Sequence, residues 1–143
     1  MGNFMEVKIF DTIPQDARYI RETVFIKEQG FEKEYDDVDA IAKHIVIYDN
    51  DEAVATCRVF WCQEEGSHHV GRIAVLKEHR GKSLGRLIML EAEKLVKALG
   101  GKTLRLGGQL RAAGFYDKIG YERCGEEYLD EGYPHIPFIK YLD

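Results

Sequence analysis

The chain has 143 residues, 45% apolar and 31% charged, which suffices for one buried core and falls short of two ordinary domains. With 20 basic and 25 acidic side chains the net charge is −5, so no global positive field draws in nucleic acid or an anionic membrane surface. No apolar run approaches the roughly 20 residues that span a bilayer, the N-terminus has no basic stretch leading into a long apolar one, and Glu6 stands where a myristoylation signal after Gly2 needs Ser or Thr.

The expectation is one cytoplasmic domain over residues 1–143. Cys57, Cys62 and Cys124 are odd in number and form no C-x-x-C pair, so they read as reduced thiols, without a disulfide framework or a metal site.

In "MEVKIF" (5–10), Met5, Val7 and Ile9 alternate with polar residues, as in a half-buried strand. Thr12 and Gln15 around Pro14 signal a helix start, and Ala17, Ile20 and Val24 recur at helical spacing towards Gln29 and Gly30. The acidic "GFEKEYDDVDA" has no period and reads as a loop or frayed helix. "KHIVIYDNDEAVATCRVFW" is two β-rich runs around Asp49, Asn50 and Asp51, residues that tolerate positive φ in a hairpin turn. After the turn "QEEGS", "HHVGRIAVL" is a further strand. Leu84, Leu87, Ile88, Ala92, Leu95 and Leu99 then mark one face of a helix that Gly100 and Gly101 stop. "KTLRLGG" reads as a short strand and "LRAAGFYDKIG" as a short helix, with "YERCGEEYL" and "HIPFIKYL" as two last strands. This order predicts a mixed α/β fold rather than a regular β-α alternation.

"EHRGKSLGRL" (78–87) joins the strand to the long helix. A loop entering a helix aims backbone N–H groups along the positive end of the helix dipole, a ready anion site. Gly81 permits close approach, and Arg80, Lys82 and Arg86 add charge; a solvated basic loop capped by Ser83 is the plainer alternative. The "GKS" at 81–83 is not a P-loop, because that pattern needs a glycine where Leu76 stands.

These residues carry a resemblance. "RIAVLKEHRGKSLGRLIM" resembles the acyl-CoA motif of the GCN5-related N-acetyltransferases (GNAT), reading Arg80-Gly81-Lys82-Ser83-Leu84-Gly85 with Ser83 in place of the usual first glycine. The serine N–H still serves a phosphate provided that the position needs no positive φ. "AAGFYDKIGY" resembles a second motif of the same superfamily. "RETVFIKEQGFEKEYDDVDAIAKH" and "YPHIPFIK" are similar to segments of its ElaA/YjcF-like branch. The resemblance implies a mostly antiparallel sheet of about six to seven strands, splayed at the fourth and flanked by helices. It also implies an acetyl-CoA-dependent N-acetyltransferase that acts on a primary amine without a metal. The alternative is a CoA-binding or interaction module that has lost turnover. A homodimer is compatible with either.

Residue by residue, the resemblance implies that the N–H groups of Ile73, Ala74 and Val75 hold the pantetheine and polarise the thioester carbonyl, an oxyanion-type arrangement. The stretch Arg80, Gly81, Lys82, Ser83, Leu84, Gly85 and Arg86 would hold the pyrophosphate, and Gln109 would touch the cofactor. Tyr116 would protonate the departing thiolate, although an aromatic on an amphipathic helix also serves as core. The strand before Gln109, Thr103 to Gly107, carries no carboxylate, so the proton acceptor for the amine is sought elsewhere. Glu28 and His44 are the candidates, with Asp36, Asp37 and Asp39 as an acidic rim attracting a cationic amine. Each also has a plain reading as surface charge, strand histidine or solvated loop. No cysteine stands beside a histidine in a recognisable nucleophile motif. The acceptor itself is not written in the sequence.

Overall fold

The structure, a computed structural model, describes residues 5–143. Its elements run β1 (Met5–Phe10), α1 (Gln15–Arg21), α2 (Val38–Ile41), β2 (Lys43–Asp49), β3 (Glu52–Cys62), β4 (Ser67–Val75), α3 (Leu84–Ala98), β5 (Thr103–Gln109), α4 (Ala113–Lys118), β6 (Glu122–Arg123), β7 (Tyr128–Asp130) and β8 (Tyr133–Tyr141). The strands form one sheet in the order β1-β2-β3-β4-β5-β8-β6, with β7 also on β8. Every pairing is antiparallel except β4 with β5.

The expected six to seven strands become eight because the last edge is broken. Pro137 has no N–H to offer that edge. It only accepts, through its carbonyl, a bond from Cys124 (2.9 Å), and the edge resumes as β7 at Tyr128. The β2–β3 turn follows its sequence signal: Asn50 (φ 50°) and Asp51 (φ 71°) are both left-handed, the backbone that a two-residue I′-type turn requires.

Helix α1 begins at Gln15 behind Pro14, with no side-chain cap, so the expected Thr12 cap is not the device used. Proline's fixed φ and missing N–H suit that position on their own. From Glu22 to Glu28 the helix widens to π-type turns, in which Gln29 N–H bonds the Val24 carbonyl five residues back (3.1 Å). Helix α3 buries Leu84, Ile88, Met89, Ala92 and Val96, while Leu99 lies outside. Left-handed Gly100 (φ 85°) and the bond from Gly101 N–H to Val96 O (2.8 Å) close it in the manner of a Schellman cap.

Apolar residues fill both sides of the sheet. Ile45, Ile47, Val59, Leu104 and Phe138 pack under α3 and α4, whereas Val46, Tyr48, Ala74 and Leu76 pack under α1 with Ile20, Val24 and Phe25. Strand alternation thus defines an α3 face and an α1 face of one sheet.

Candidate active site

The sheet opens between β4 and β5. Their parallel ladder holds only His68 to Leu104 and His69 to Arg105. Beyond it β4 carries a bulge: Thr56 pairs with Ala74 and Arg58 with Gly71, leaving Arg72 and Ile73 against Cys57, with Arg72 at φ 49°. A bulge bends its strand and deepens the twist. On the other side β5 supplies Gly107 and Gly108, whose missing side chains make room for two tyrosines that line the gap. A Cβ at Gly108 would come within 2.7 Å of the Tyr116 ring on the α3 face, and one at Gly107 would strike the Tyr128 hydroxyl on the α1 face. The result is a cleft of about 810 Å³ that crosses the sheet.

Of the expected cofactor residues, Ile73, Ala74, Val75, Arg80, Gly81, Ser83, Leu84, Gly85, Arg86 and Gln109 line this cleft, and Lys82 does not. Leu76 N–H bonds Val54 O (3.0 Å), so by alternation Ala74 N–H also points to β3 and Val75 N–H points into the gap. The expectation for Ala74 is corrected accordingly: it contributes packing under α1, and its neighbours face the opening.

The loop after β4 offers N–H groups in series. Those of residues 81–86 make no hydrogen bond among the described residues, as befits a loop entering the N-terminus of α3. The requirement that Ser83 avoid positive φ is overturned: it sits at φ 63°, ψ 21° and makes no capping bond with its side chain. With Gly81 at φ 85° as well, the loop passes twice through left-handed backbone ahead of α3, and successive N–H groups in such turns form an anion-binding concavity.

The charges of the loop are distributed unequally. Arg80 donates from Nε to Val75 O (3.0 Å) and from both Nη atoms to Glu28 (2.7 and 2.8 Å), so it latches the loop to α1 instead of standing free for a phosphate. That pairing holds the Glu28 carboxyl below the usual glutamate range, which makes it a weak proton acceptor. Lys82 Nζ donates to His79 Nδ1 (3.2 Å), and Arg86 faces the cleft.

His44 is not in the cleft. It is buried on β2 and its Nε2 donates to the Asp39 carbonyl (3.1 Å), and burial lowers its pKa. The expected acidic rim is likewise a clamp. Buried Arg21 bonds Glu34 Oε2 (2.6 Å) and both oxygens of Asp39 (2.7 and 3.1 Å). Arg58 bonds Asp36 (2.6 Å) and Asp39 (3.0 Å), and Arg72 bonds the Glu34 carbonyl (3.0 Å). Three arginines thus offset three carboxylates, leaving little net field for a cationic amine, while Asp37 stays exposed. Burial acts to raise the Asp39 pKa, but the bonds from Arg21 and Arg58 outweigh it and hold the carboxyl well below the usual range.

Tyr116 lines the cleft from α4, its ring edge-on to Phe115 and tilted against Phe138 (5.3 Å between centroids). Burial, with the Cys57 thiol nearby, raises its pKa, so the phenol stays protonated and can donate. On the α1 face, residues to which the sequence assigned no role line the same cleft: Arg58, Phe60, His69, Arg72, Tyr128 and His135, although Arg72 and His135 lie inside the segments that carry the resemblance. They come from β3, β4, β7 and β8, and only strand order brings them together. Gln109 joins the two halves, donating to Gln29 Oε1 (2.9 Å) and accepting from Arg111 Nε (2.7 Å).

A sheet parted at a bulged strand beside a run of unbonded N–H groups is the arrangement of acyl-CoA N-acyltransferases. Residues 13–142 match the family model described as "Acetyltransferase (GNAT) domain". The uncharacterized N-acetyltransferase YjcF of Bacillus subtilis is 40% identical over 129 residues, which cover 88% of this chain and 91% of that one. Protein ElaA of Escherichia coli is 30% identical over 122 residues, covering 82% and 80%. The crystal structure of Escherichia coli ElaA superposes with a TM-score of 0.84 at 25% identity, over 96% of this chain and 99% of that one. An acyl-CoA N-acyltransferase from Pseudomonas aeruginosa shares the fold, with a TM-score of 0.83 at 21% identity over 97% and 99%. The chain belongs to the GNAT family of N-acetyltransferases, in its ElaA/YjcF-like branch. Its substrates are therefore an acyl-CoA and an amine. No helix among the described residues is long and apolar enough to cross a membrane.

Proposed function

We propose that the protein transfers an acetyl group directly from acetyl-CoA to a primary amine. The observation that carries this reading is the parted β4–β5 seam, with Val75 N–H facing the gap and free N–H groups over residues 81–86 at one end of it. In this reading the diphosphate lies on that loop, with Arg86 adding charge. The thioester lies along β4, and backbone donors at the bulge meet the negative charge that develops on the carbonyl oxygen. Tyr116 gives its proton to the leaving sulfur and regains one from the new amide nitrogen. Glu28 acts through Arg80 by holding the loop, and His44 supports the clamp under residues 34–39.

The test is calorimetry with acetyl-CoA and with longer acyl-CoA thioesters, followed by thiol release across a panel of alkylamines, aralkylamines, amino sugars and amino acids. Acetyl-CoA binding with turnover on one class of amine is expected. Binding without turnover on any amine would leave a CoA-binding module with no transferase activity and overturn the proposal.

A further inference from the structure

Building on that function, we propose that His135 accepts the proton of the acceptor ammonium, making it the base that neither Glu28 nor His44 is placed to be. The argument starts from β8. Its alternation sends Ile136 and Phe138 into the core under α3 and α4, and so turns His135 to the α1 face. His135 pairs with Gln109 of β5 and lines the cleft. Tyr116 meets β5 from the other face, at Gly108. A proton donor for the departing thiolate and a proton acceptor thus flank one strand, on opposite sides of the gap in which the thioester would lie.

The ring is set for this task. Its Nδ1 stands 2.8 Å from the Tyr133 carbonyl oxygen, which can only accept, so Nδ1 carries the hydrogen. In the neutral imidazole the lone pair then belongs to Nε2. Nε2 makes no hydrogen bond among the described residues, nor is it sealed off as an unpaired buried atom. The Tyr128 ring stacks on the imidazole (5.6 Å, 29° between planes), which fixes its plane. Two separate contacts therefore fix tautomer and plane, and they leave Nε2 without a partner among the described residues.

The charged and titratable groups around it come from three segments. From β7 there are Tyr128, whose pKa is raised by burial and then by Asp130, and Asp130 itself, which lines the cleft. From β8 there is Tyr133, whose hydroxyl donates to Gln29 O (2.9 Å). Beyond β5 there is Arg111, its guanidinium 4.9 Å over the Tyr133 ring and its Nε on Gln109.

The proton balance is complete. The ammonium gives one proton to Nε2, and the freed amine attacks the thioester carbon. The C–S bond breaks as the C–N bond forms, with Tyr116 protonating sulfur and recovering a proton from the new amide nitrogen. His135 then releases its proton to water, so each turnover yields amide, CoA thiol and one proton.

The deciding variant is His135→Asn, whose side-chain NH₂ can keep the bond to Tyr133 O while the acceptor nitrogen is lost. With the best amine of the panel, turnover should fall roughly 10²- to 10³-fold with an unchanged acetyl-CoA dissociation constant. The fall of kcat/KM below neutral pH should disappear. His135→Ala should regain activity with added imidazole. A His135→Asn enzyme with the wild-type pH profile would overturn the proposal, as would loss of acetyl-CoA affinity in step with activity. If the wild type turns over no amine, the transferase reading fails, and His135 as a proton acceptor fails with it. Turnover in the wild type with a normal His135→Asn profile removes His135 alone.

Discussion

Ser83 holds a left-handed backbone (φ 63°), a conformation that costs a non-glycine residue roughly 1–2 kcal/mol. Ser83→Gly should remove that cost, less what glycine's extra freedom in the unfolded chain gives back. A small rise in Tm with unaltered acetyl-CoA affinity is the expected outcome, by thermal melt and calorimetry. Ser83→Val should lower both Tm and acetyl-CoA affinity, since a β-branched residue resists that φ. Tyr116 offers a different measurement. Its raised pKa keeps the hydroxyl protonated across neutral pH, so it adds no basic limb to the rate profile below about pH 10. Tyr116→Phe should lower kcat by roughly 10²-fold or more while leaving the Michaelis constant for acetyl-CoA nearly unchanged, because the hydroxyl acts on the departing sulfur. A variant with full turnover would make Tyr116 a core aromatic. Glu28→Gln should act in the opposite sense, weakening acetyl-CoA binding by releasing Arg80 and leaving the acid limb of the rate profile in place.

Between α1 and β2 the chain is held by charge. Asp39→Asn would leave Arg21 and Arg58 short of a buried partner, a loss of about 3–5 kcal/mol for a broken buried pair. The pH dependence follows from three groups. Asp36, through the bond from Arg58, and Asp39, through Arg21 and Arg58 against the pull of burial, have folded pKa values below the ordinary 3.8. Their stabilisation is complete above that value and is lost as pH falls beneath it. Glu34 is raised by burial despite its bond from Arg21. Its contribution has the opposite sign, present below 4.5 and lost as pH rises, so it offsets part of the other two. Melting temperature should therefore drop on acidification below about pH 4, and Asp39→Asn should flatten that drop. This clamp also marks the limit of what the sequence discloses. The Asn50-Asp51 turn, helix α3 and the loop 80–86 are local, each written in residues a few positions apart, and all are legible. The acidic run is visible too, but its partners stand 13 to 38 residues away and on other elements, so it reads as a free rim. The broken edge at Pro137 and the cleft side of His135 depend on which strand lies next to which, and no spacing along the chain states that.

At the scale of the molecule, two antiparallel sets of strands, β1 to β4 and β5 to β8, share a seam of two residue pairs. Helices α3 and α4 and the Gln29–Gln109 bond help to bridge it. A ligand lying in the seam should bind only when both halves are in place, and should stabilise the fold accordingly. Acetyl-CoA at about 100 times its dissociation constant is worth about 2.7 kcal/mol, or roughly 10 °C in Tm for a chain of this size. Amide exchange should slow in β4 and in β5 together. Slowing confined to the loop 77–86 would mean that the pantetheine does not enter the seam.

The cleft that crosses the sheet has a consequence for inhibition patterns. Phe115 and Tyr116 line it from the α3 face and Phe60 and His135 from the α1 face, so the acyl donor and the amine can approach from opposite faces of the sheet. Free CoA should therefore compete with acetyl-CoA yet leave a saturating amine unable to displace it, and double-reciprocal plots for the two substrates should intersect. A single molecule that joins CoA to an amine through a short acyl bridge would span both faces at once, and should exclude either substrate.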